Sequence, residues 1–326
     1  MTKIAIIGAG LSGLVTAHRL KDHFEVEVFE KSVAPGGRIA TRYADPFRFD
    51  HGAQFFTARS NSFKEFLIPL IDQKAIARWD ARFVEYEKNQ IVSRRDWDDE
   101  YPHYVGVPGM NIIGRELAKD ISIHYQTHIE QITFDGQWQL TDQHHSKRYF
   151  DWVILTLPPA QAQALIGPDI NFHHQVSTAK MQGCYSLMIG AEEIDLGWDA
   201  ALVKSADISW ISVNSSKPGR DAYFSLLVHS TNRWADQNID MPIEQVTDYL
   251  LDEVKMVIAQ PMNIKHAQVH RWKYANCPKQ AGERSLIDNK NQIAACGDWC
   301  IRGRIESAFL SAEDVSSKIL ESLKAV

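Results

Sequence analysis

The chain has 326 residues, enough for one large or two medium domains, and 44% of them are apolar, which supports a sizeable core. A net charge of −6 argues against general nucleic-acid binding, which needs a basic face, and no apolar run approaches the ~20 residues of a membrane helix. Cys184, Cys277, Cys296 and Cys300 form neither a disulfide framework nor a metal-ligand spacing and are expected to be free thiols in a reducing, cytoplasmic compartment.

The apolar run Ile4-Ala5-Ile6-Ile7 is too short for anything but a buried strand. Gly8-Ala9-Gly10-Leu11-Ser12-Gly13 follows at once, then Leu14, Ala17 and Leu20 at helical spacing, then a second strand, Val26–Glu30, ending in an acid, with Lys31 next to it as a further candidate cofactor contact. Strand, glycine turn, helix, strand and acid form the order that a dinucleotide site requires. Gly8 permits the tight turn, Gly10 lets the backbone approach a pyrophosphate, and Gly13 lets the helix pack close to the sheet. The free N–H groups of the helix start face the phosphates. Glu30, 17 residues after Gly13, is placed to accept from an adenosine ribose. This fingerprint does not choose between NAD and FAD. The choice comes from Gly36-Gly37-Arg38, which offers a second close backbone approach and a guanidinium fork for phosphate oxygens. A cofactor with a long pyrophosphate–ribityl section needs that second contact.

Farther along, Phe63, Phe66, Leu67, Leu70 and Ile71 have helical spacing, residues 81–86 alternate like a strand, and Asn89-Gln90 suggests a hairpin. Pro108-Gly109 turns into a helix over 111–119. Alternating strands are expected at 121–126, 129–134 and 137–141, with Asp135-Gly136 as a hairpin turn, and are read as a β-meander. Strands follow at 182–190, 200–203, 209–213 and 223–228, an amphipathic helix at 243–258, a strand at 264–272, then a closing strand and helix after 290.

Five segments in this order resemble those of the flavin amine oxidase superfamily, the two-dinucleotide-binding-motif flavoproteins. They are the first glycine loop with its acid and Gly36-Gly37-Arg38, then Asp50-His51-Gly52-Ala53-Gln54-Phe55-Phe56, then the strand ending Thr156-Leu157-Pro158, then Ala295-Cys296-Gly297-Asp298, and last Gly303-Arg304-Ile305-Glu306-Ser307-Ala308. A narrower likeness, to the renalase-like subgroup, rests on Gly36-Gly37-Arg38, His51–Thr57, Val107-Pro108-Gly109-Met110, His270–Ala275 and Cys296–Trp299. The resemblance implies non-covalent FAD. It places Gly52, Ala53, Gln54 and Phe55 beside the flavin, Ile129 against the adenine, Gly297 and Asp298 at the ribityl–phosphate section, and Ile305, Glu306 and Ser307 at the pyrimidine edge. It also implies a Rossmann-like α/β FAD-binding domain with a β-meander crossover (residues 1–58, 103–160 and 290–326). An inserted α+β substrate domain, an antiparallel sheet with helices, would take residues 61–102 and 161–289.

A flavin oxidoreductase needs a flat, mostly apolar slot over one ring face. Candidates to line it are Phe55, Phe56, Tyr185, Trp210, Trp234, Trp272, Tyr274 and Trp299, with His229 and His270 as polar neighbours. Trp272 and Tyr274 alternate on one strand and so share a face. No general-base motif stands out. That suits hydride transfer from a dihydropyridine, which yields a pyridinium without separate proton removal. The resemblance itself, rather than the residues, implies oxidation of 2- and 6-dihydro isomers of NAD(P)H, with oxygen reduced to hydrogen peroxide. An amine oxidase or desaturase with another small substrate is an alternative, as is a flavin-binding redox protein without turnover. The expected partners are a small molecule and oxygen, with no nucleic acid and no membrane.

Overall fold

The structure is a computed structural model and describes residues 1–324. The chain forms two compact units, one made of residues 1–38, 113–181 and 277 onward, the other of 39–112 and 182–276. The first change of unit falls at Arg38/Ile39, well before residue 58, and the later ones at 112/113, 181/182 and 276/277.

In the first unit a six-stranded sheet runs in the order Leu286–Asp288, Ile293–Ala295, Trp152–Leu155, Lys3–Ile7, Glu25–Phe29, Ile123–His124. All neighbours are parallel except the first pair. Ile4, Ala5, Ile6 and Ile7 are all buried, as a central parallel strand covered on both faces demands. Helices Leu11–Leu20 and Ile305–Lys324 pack together here. A separate three-stranded meander, Ile129–Phe134, Trp138–Asp142 and Lys147–Phe150, turns at Gly136 with φ +75°. Its inner face buries Ile132, Trp138, Leu140 and Phe150 in one core with Phe29 and Leu155.

The meander corrects the sequence reading. Residues 121–126 supply only the two-residue strand Ile123–His124, which pairs with Val28 and Phe29 at the edge of the parallel sheet. Asp120 and Gln126, both at positive φ, bound it. The meander's third strand is Lys147–Phe150, a charged-then-aromatic stretch whose alternation is too short to read.

In the second unit a seven-stranded sheet is ordered Ile264–Asn276, Gln182–Ala191, Ser225–Ser230, Ile208–Val213, Ala200–Lys204, Arg82–Glu87, Gln90–Asp96. It is antiparallel except where Ala200–Lys204 lies parallel to Arg82–Glu87, two strands that come from different segments of the chain and share no hairpin. Helix Ile243–Ile258 buries Val246, Leu250, Val254, Val257 and Ile258 along one stripe and ends at Ala259, which is left-handed at φ 52°. That stripe shares a core with Tyr185, Leu187, Ile189, Leu226, Val228 and Ile211. Side chains alternate, so Ser186, Met188, Leu227, His229 and His270 belong to the other face. There Phe47 and Phe49, from the hairpin Arg42–Ala44/Phe47–Phe49, pack on Met188 and Leu227. A Cβ on Gly190 would lie 2.5 Å from the Phe47 ring, so this close seating requires a glycine.

Candidate functional site

The first unit brings the opening glycines into a tight cradle. Gly8 sits at φ +110°, and its N–H donates to the Phe29 carbonyl at 2.8 Å. A Cβ on Gly13 would stand 2.0 Å from the Gly8 carbonyl oxygen, so the helix can start this close only with glycine there. Gly10 is the opposite case, because a Cβ there would meet no protein atom within 4 Å. Protein packing therefore does not explain Gly10, and the space beside it fits a ligand backbone, as a pyrophosphate requires. Glu30 is buried. Its carboxylate accepts from the N–H groups of Ala9 and Ser32, both at 2.8 Å, which ties the acid to the glycine turn. A carboxylate has about four acceptor sites, so two remain for ribose hydroxyls. Lys31 is exposed beside it.

The second glycine loop is bonded to the first. The Gly36 N–H donates to the Ala9 carbonyl at 2.8 Å, and Gly10 and Gly36 form a parallel bridge. Gly37, at φ +54°, lies so near that its Cβ would come within 3.3 Å of the Gly10 Cα. Arg38 was expected to offer its fork to phosphate oxygens. Both of its Nη atoms instead donate to Asp298, at 2.9 and 2.5 Å. This bidentate pair fastens the Gly297-Asp298 turn to the glycine loop. The Gly297 N–H donates to Ser311 Oγ, which fixes the same turn to the last helix. Ser12 Oγ donates to the Ala308 carbonyl at 2.9 Å, so the starts of helices Leu11–Leu20 and Ile305–Lys324 converge. Two positive helix ends then face one region, with Glu306 and the buried Ser307 in the second helix's first turn.

In the second unit the loop Asp50–Phe55 is seated on buried charge. The Asp50 carboxylate accepts from Thr41 Oγ1, the Met110 N–H, Lys217 Nζ and Arg220 Nη2, at 2.8, 2.9, 3.2 and 2.6 Å. All three charged side chains are almost fully buried. Burial alone would push the Asp50 carboxyl up, but the two cations hold it below the usual carboxylate range. Burial, opposed by Asp50 and reinforced by Arg220, brings Lys217 down to about 8. Lys217 also donates to Gln54 Oε1 and Asn214 Oδ1, and Gln54 accepts from Ser212 Oγ and donates to the Asp50 and Gly52 carbonyls. Gln54 is thereby locked, and Gly52 and Ala53 are held half-buried next to it. Sequence reading missed Lys217, Arg220 and Asn214. The only signal was two cations in the turn Asn214–Arg220 directly after an apolar strand.

Next to this network stands a cluster of aromatic and imidazole rings. The His51 carbonyl accepts from Ser186 Oγ at 2.7 Å and Trp272 Nε1 at 2.8 Å, and the His51 ring stacks on Trp272 with centroids 5.2 Å apart. His270 meets His51 edge-on at 4.9 Å, and Arg42 Nη2 lies 3.4 Å from its Nδ1. Burial lowers His51 to about 3, helped by His270 and Arg42; it lowers His270 to about 4, helped by Arg42, and His229 to about 4, helped by Lys217. These imidazoles are neutral at pH 7. His51 Nδ1 and His229 Nε2 are buried with no hydrogen-bond partner among the described residues. Phe55 adjoins this side, 4.9 Å from Trp97 and 5.3 Å from Trp210.

Several expected slot residues lie elsewhere. Tyr185 and Trp234 pack edge to face at 5.6 Å in the core under helix Ile243–Ile258, on the sheet face opposite His270 and Trp272. The Tyr185 hydroxyl is spent on the Asn238 and Ile239 carbonyls. Phe56 is buried against Phe63 and Tyr104, since strand-like alternation sends it away from Phe55. Trp299 is buried in the first unit's core, with Nε1 on the Leu157 carbonyl at 3.0 Å. Tyr274 is half-buried and makes no hydrogen bond or ring contact among the described residues. Ile129 is an inward core residue of the meander, next to a register shift.

The chain matches two family profiles, "NAD(P)-binding Rossmann-like domain" over residues 6–68 and "Flavin containing amine oxidoreductase" over 83–320. It is 20% identical to renalase of Mus musculus over 311 residues, covering 87% of this chain and 88% of that protein. A coproporphyrinogen III oxidase of Staphylococcus aureus is 29% identical over 119 residues, 35% of this chain and 23% of that one. Among solved structures, a triple mutant of putrescine oxidase superposes with a TM-score of 0.75 at 12% identity, covering 98% of this chain and 99% of that one. No helix among the described residues is long and apolar enough to cross a membrane. The chain belongs to the flavin-containing amine oxidoreductases and is an FAD-dependent oxidoreductase.

Proposed function

We propose that this chain is a renalase-like oxidase that converts 2- and 6-dihydro isomers of NAD(P)H to NAD(P)+, with oxygen taken to hydrogen peroxide. The observation that carries this reading is the likeness to mouse renalase along nearly the full length of both chains. In the balanced reaction the dihydronicotinamide, O2 and one proton give the nicotinamide cation and H2O2. FAD supplies the hydride acceptor, its N5 position.

Gly8, Gly10, Leu11, Ser12, Gly13, Glu30, Gly37, Arg38 and Asp298 are the residues proposed to hold its ADP and ribityl parts. With the flavin bound, the turn Ile305-Glu306-Ser307 would offer main-chain N–H groups and a positive helix end to stabilise its reduced, negatively charged form. Gly52–Phe55, Trp272, His229 and His270 are proposed to border the substrate. Burial leaves His51, His229 and His270 uncharged and weakly basic, so they do not repel a forming pyridinium and are poor acceptors for a substrate proton, which supports a reaction without separate proton removal. The flavin is proposed to be non-covalent. Burial raises the Cys300 thiol, which makes it a poor nucleophile. A cytoplasmic location is proposed on the four buried, unpaired cysteines.

Anaerobic mixing of the flavin-loaded protein with borohydride-generated dihydronicotinamide isomers, normal NADH and a panel of amines tests the proposal. Rapid flavin bleaching by the isomers alone is expected. Bleaching by amines and not by the isomers would overturn the reading in favour of amine oxidation.

A further inference from the structure

The second unit contains a cleft of about 520 Å³ that none of the roles above uses. Its walls come from three separate elements and carry three cations. Arg59 precedes helix Asn61–Asp72, Lys64 lies at the start of that helix, and Arg95 is on strand Gln90–Asp96. Neither Lys64 nor Arg95 makes an ion pair among the described residues, and Arg95 rests over the Phe83 ring at 4.7 Å. The first turn of helix Asn61–Asp72 holds no acid, so its positive end is not neutralised locally.

The cleft is not simply basic. Asp96, Asp98, Asp99 and Glu100 also line it. Asp99 is committed to Arg78, and Asp98 accepts from the Glu100 N–H at 3.0 Å, so two of the four carboxylates are engaged within the protein. A site for bare phosphate would have little use for the others. A nucleotide uses both signs, because its phosphates need cations while its ribose hydroxyls and exocyclic amine need acceptors. Tyr101, 69% exposed at the rim, offers a ring face to a base. In the wall, Trp97 stacks on His103 with centroids 3.6 Å apart and also adjoins Phe55 at 4.9 Å. The cleft therefore backs directly onto the loop proposed to border the substrate. Its volume lies within the ~300–1,000 Å³ usual for small-molecule sites.

We propose that this cleft seats the nucleoside diphosphate end of the dinucleotide substrate, with Arg59, Lys64 and Arg95 as phosphate contacts. The inference rests on the dihydronicotinamide reading above and gives that substrate a second anchor.

The test uses the flavin-loaded protein and the double variant Lys64→Glu/Arg95→Glu. Both side chains are exposed, so the fold should tolerate reversal. The expected result is a KM for the dinucleotide isomer raised about tenfold or more with kcat kept, while KM for dihydronicotinamide riboside, which has no phosphate, stays unchanged. ADP should compete in the wild type and not in the variant. An unchanged dinucleotide KM in an active variant would overturn the proposal, as would equal competition by inorganic phosphate. If the wild type oxidises no dihydronicotinamide at all, calorimetric ADP binding decides. Binding that the variant loses keeps the nucleotide seat and removes the substrate reading, whereas no binding removes both.

Discussion

The two units carry their chemistry in different ways. In the first, the groups that could hold a dinucleotide are backbone N–H groups arranged by glycines within a short stretch, and Gly8, Gly10, Gly13, Gly36 and Gly37 set the geometry. In the second, the corresponding groups are side chains from distant segments. Asp50 meets Lys217 and Arg220, and His51 meets Trp272. A backbone cradle is robust to changes in most side chains but cannot tolerate a Cβ where backbone meets backbone, as at Gly13. A buried charge network accepts small changes in shape but does not survive the loss of a countercharge. The most damaging substitutions should therefore be steric in one unit and electrostatic in the other.

The largest expected effect is on the electrostatic side. Asp50→Asn would leave Lys217 and Arg220 buried without a carboxylate, a loss of about 3–5 kcal/mol. Lys217→Met should cost less, because Asp50 and Arg220 would remain as a one-to-one pair. Urea unfolding of both variants checks the ordering. If Lys217→Met proved the more damaging, Asp50 would not be the hub of the network.

The steric side gives a paired comparison within one turn. Gly13→Ala places a Cβ against the Gly8 carbonyl and should cost about 3 kcal/mol as well as bound flavin. Gly10→Ala meets no protein atom, so the stripped protein should unfold within about 0.5 kcal/mol of wild type, yet flavin retention should fall. Flavin absorbance per chain and melting of the apoprotein separate the two. Full retention in Gly10→Ala would show that no ligand approaches that backbone.

This contrast also explains what could be read from the sequence. The tight glycine turn and the acid beside it were legible because their geometry depends on residues close together in the chain, whereas Gly297-Asp298 was placed only by resemblance. The Arg38–Asp298 clamp was not legible, since nothing local announces a partner 260 residues away. The same holds for Lys217 with Asp50, 167 residues apart. Tyr185 and Trp234 were misplaced for a related reason. Composition marks an aromatic residue as useful in a slot or in a core, and only the covering helix Ile243–Ile258 shows which sheet face is the core. The meander's third strand escaped because Lys147–Phe150 has too few residues to display a period.

Acid should act mainly on the second unit. His51 is lowered to about 3, and His103, His229 and His270 to about 4, in each case first by burial. In the unfolded chain each takes up its proton near the ordinary 6.5. Between that value and about 4 the unfolded state therefore binds more protons, and stability falls as pH drops through this window. Above pH 6.5 these groups contribute no slope. Denaturation midpoints measured from pH 7 to pH 4 should decline, and His103→Gln should reduce the slope. A flat profile would mean that the imidazoles are not sealed in the neutral form.

The smallest expected effect separates core from slot. Tyr185 has its ring in the helix-covered core, and its hydroxyl donates to the Asn238 carbonyl at 2.8 Å and the Ile239 carbonyl at 3.0 Å. Tyr185→Phe keeps the ring and removes the donor, leaving those carbonyls one partner short, at a cost of about 1 kcal/mol. Because His270 and Trp272 lie on the opposite sheet face, kcat and KM should stay at wild-type values. A change in kcat without a change in stability would return Tyr185 to the substrate side. It would also mean that the division of the sheet into a packing face and a chemical face is wrong, since that division rests on the alternation along Gln182–Ala191.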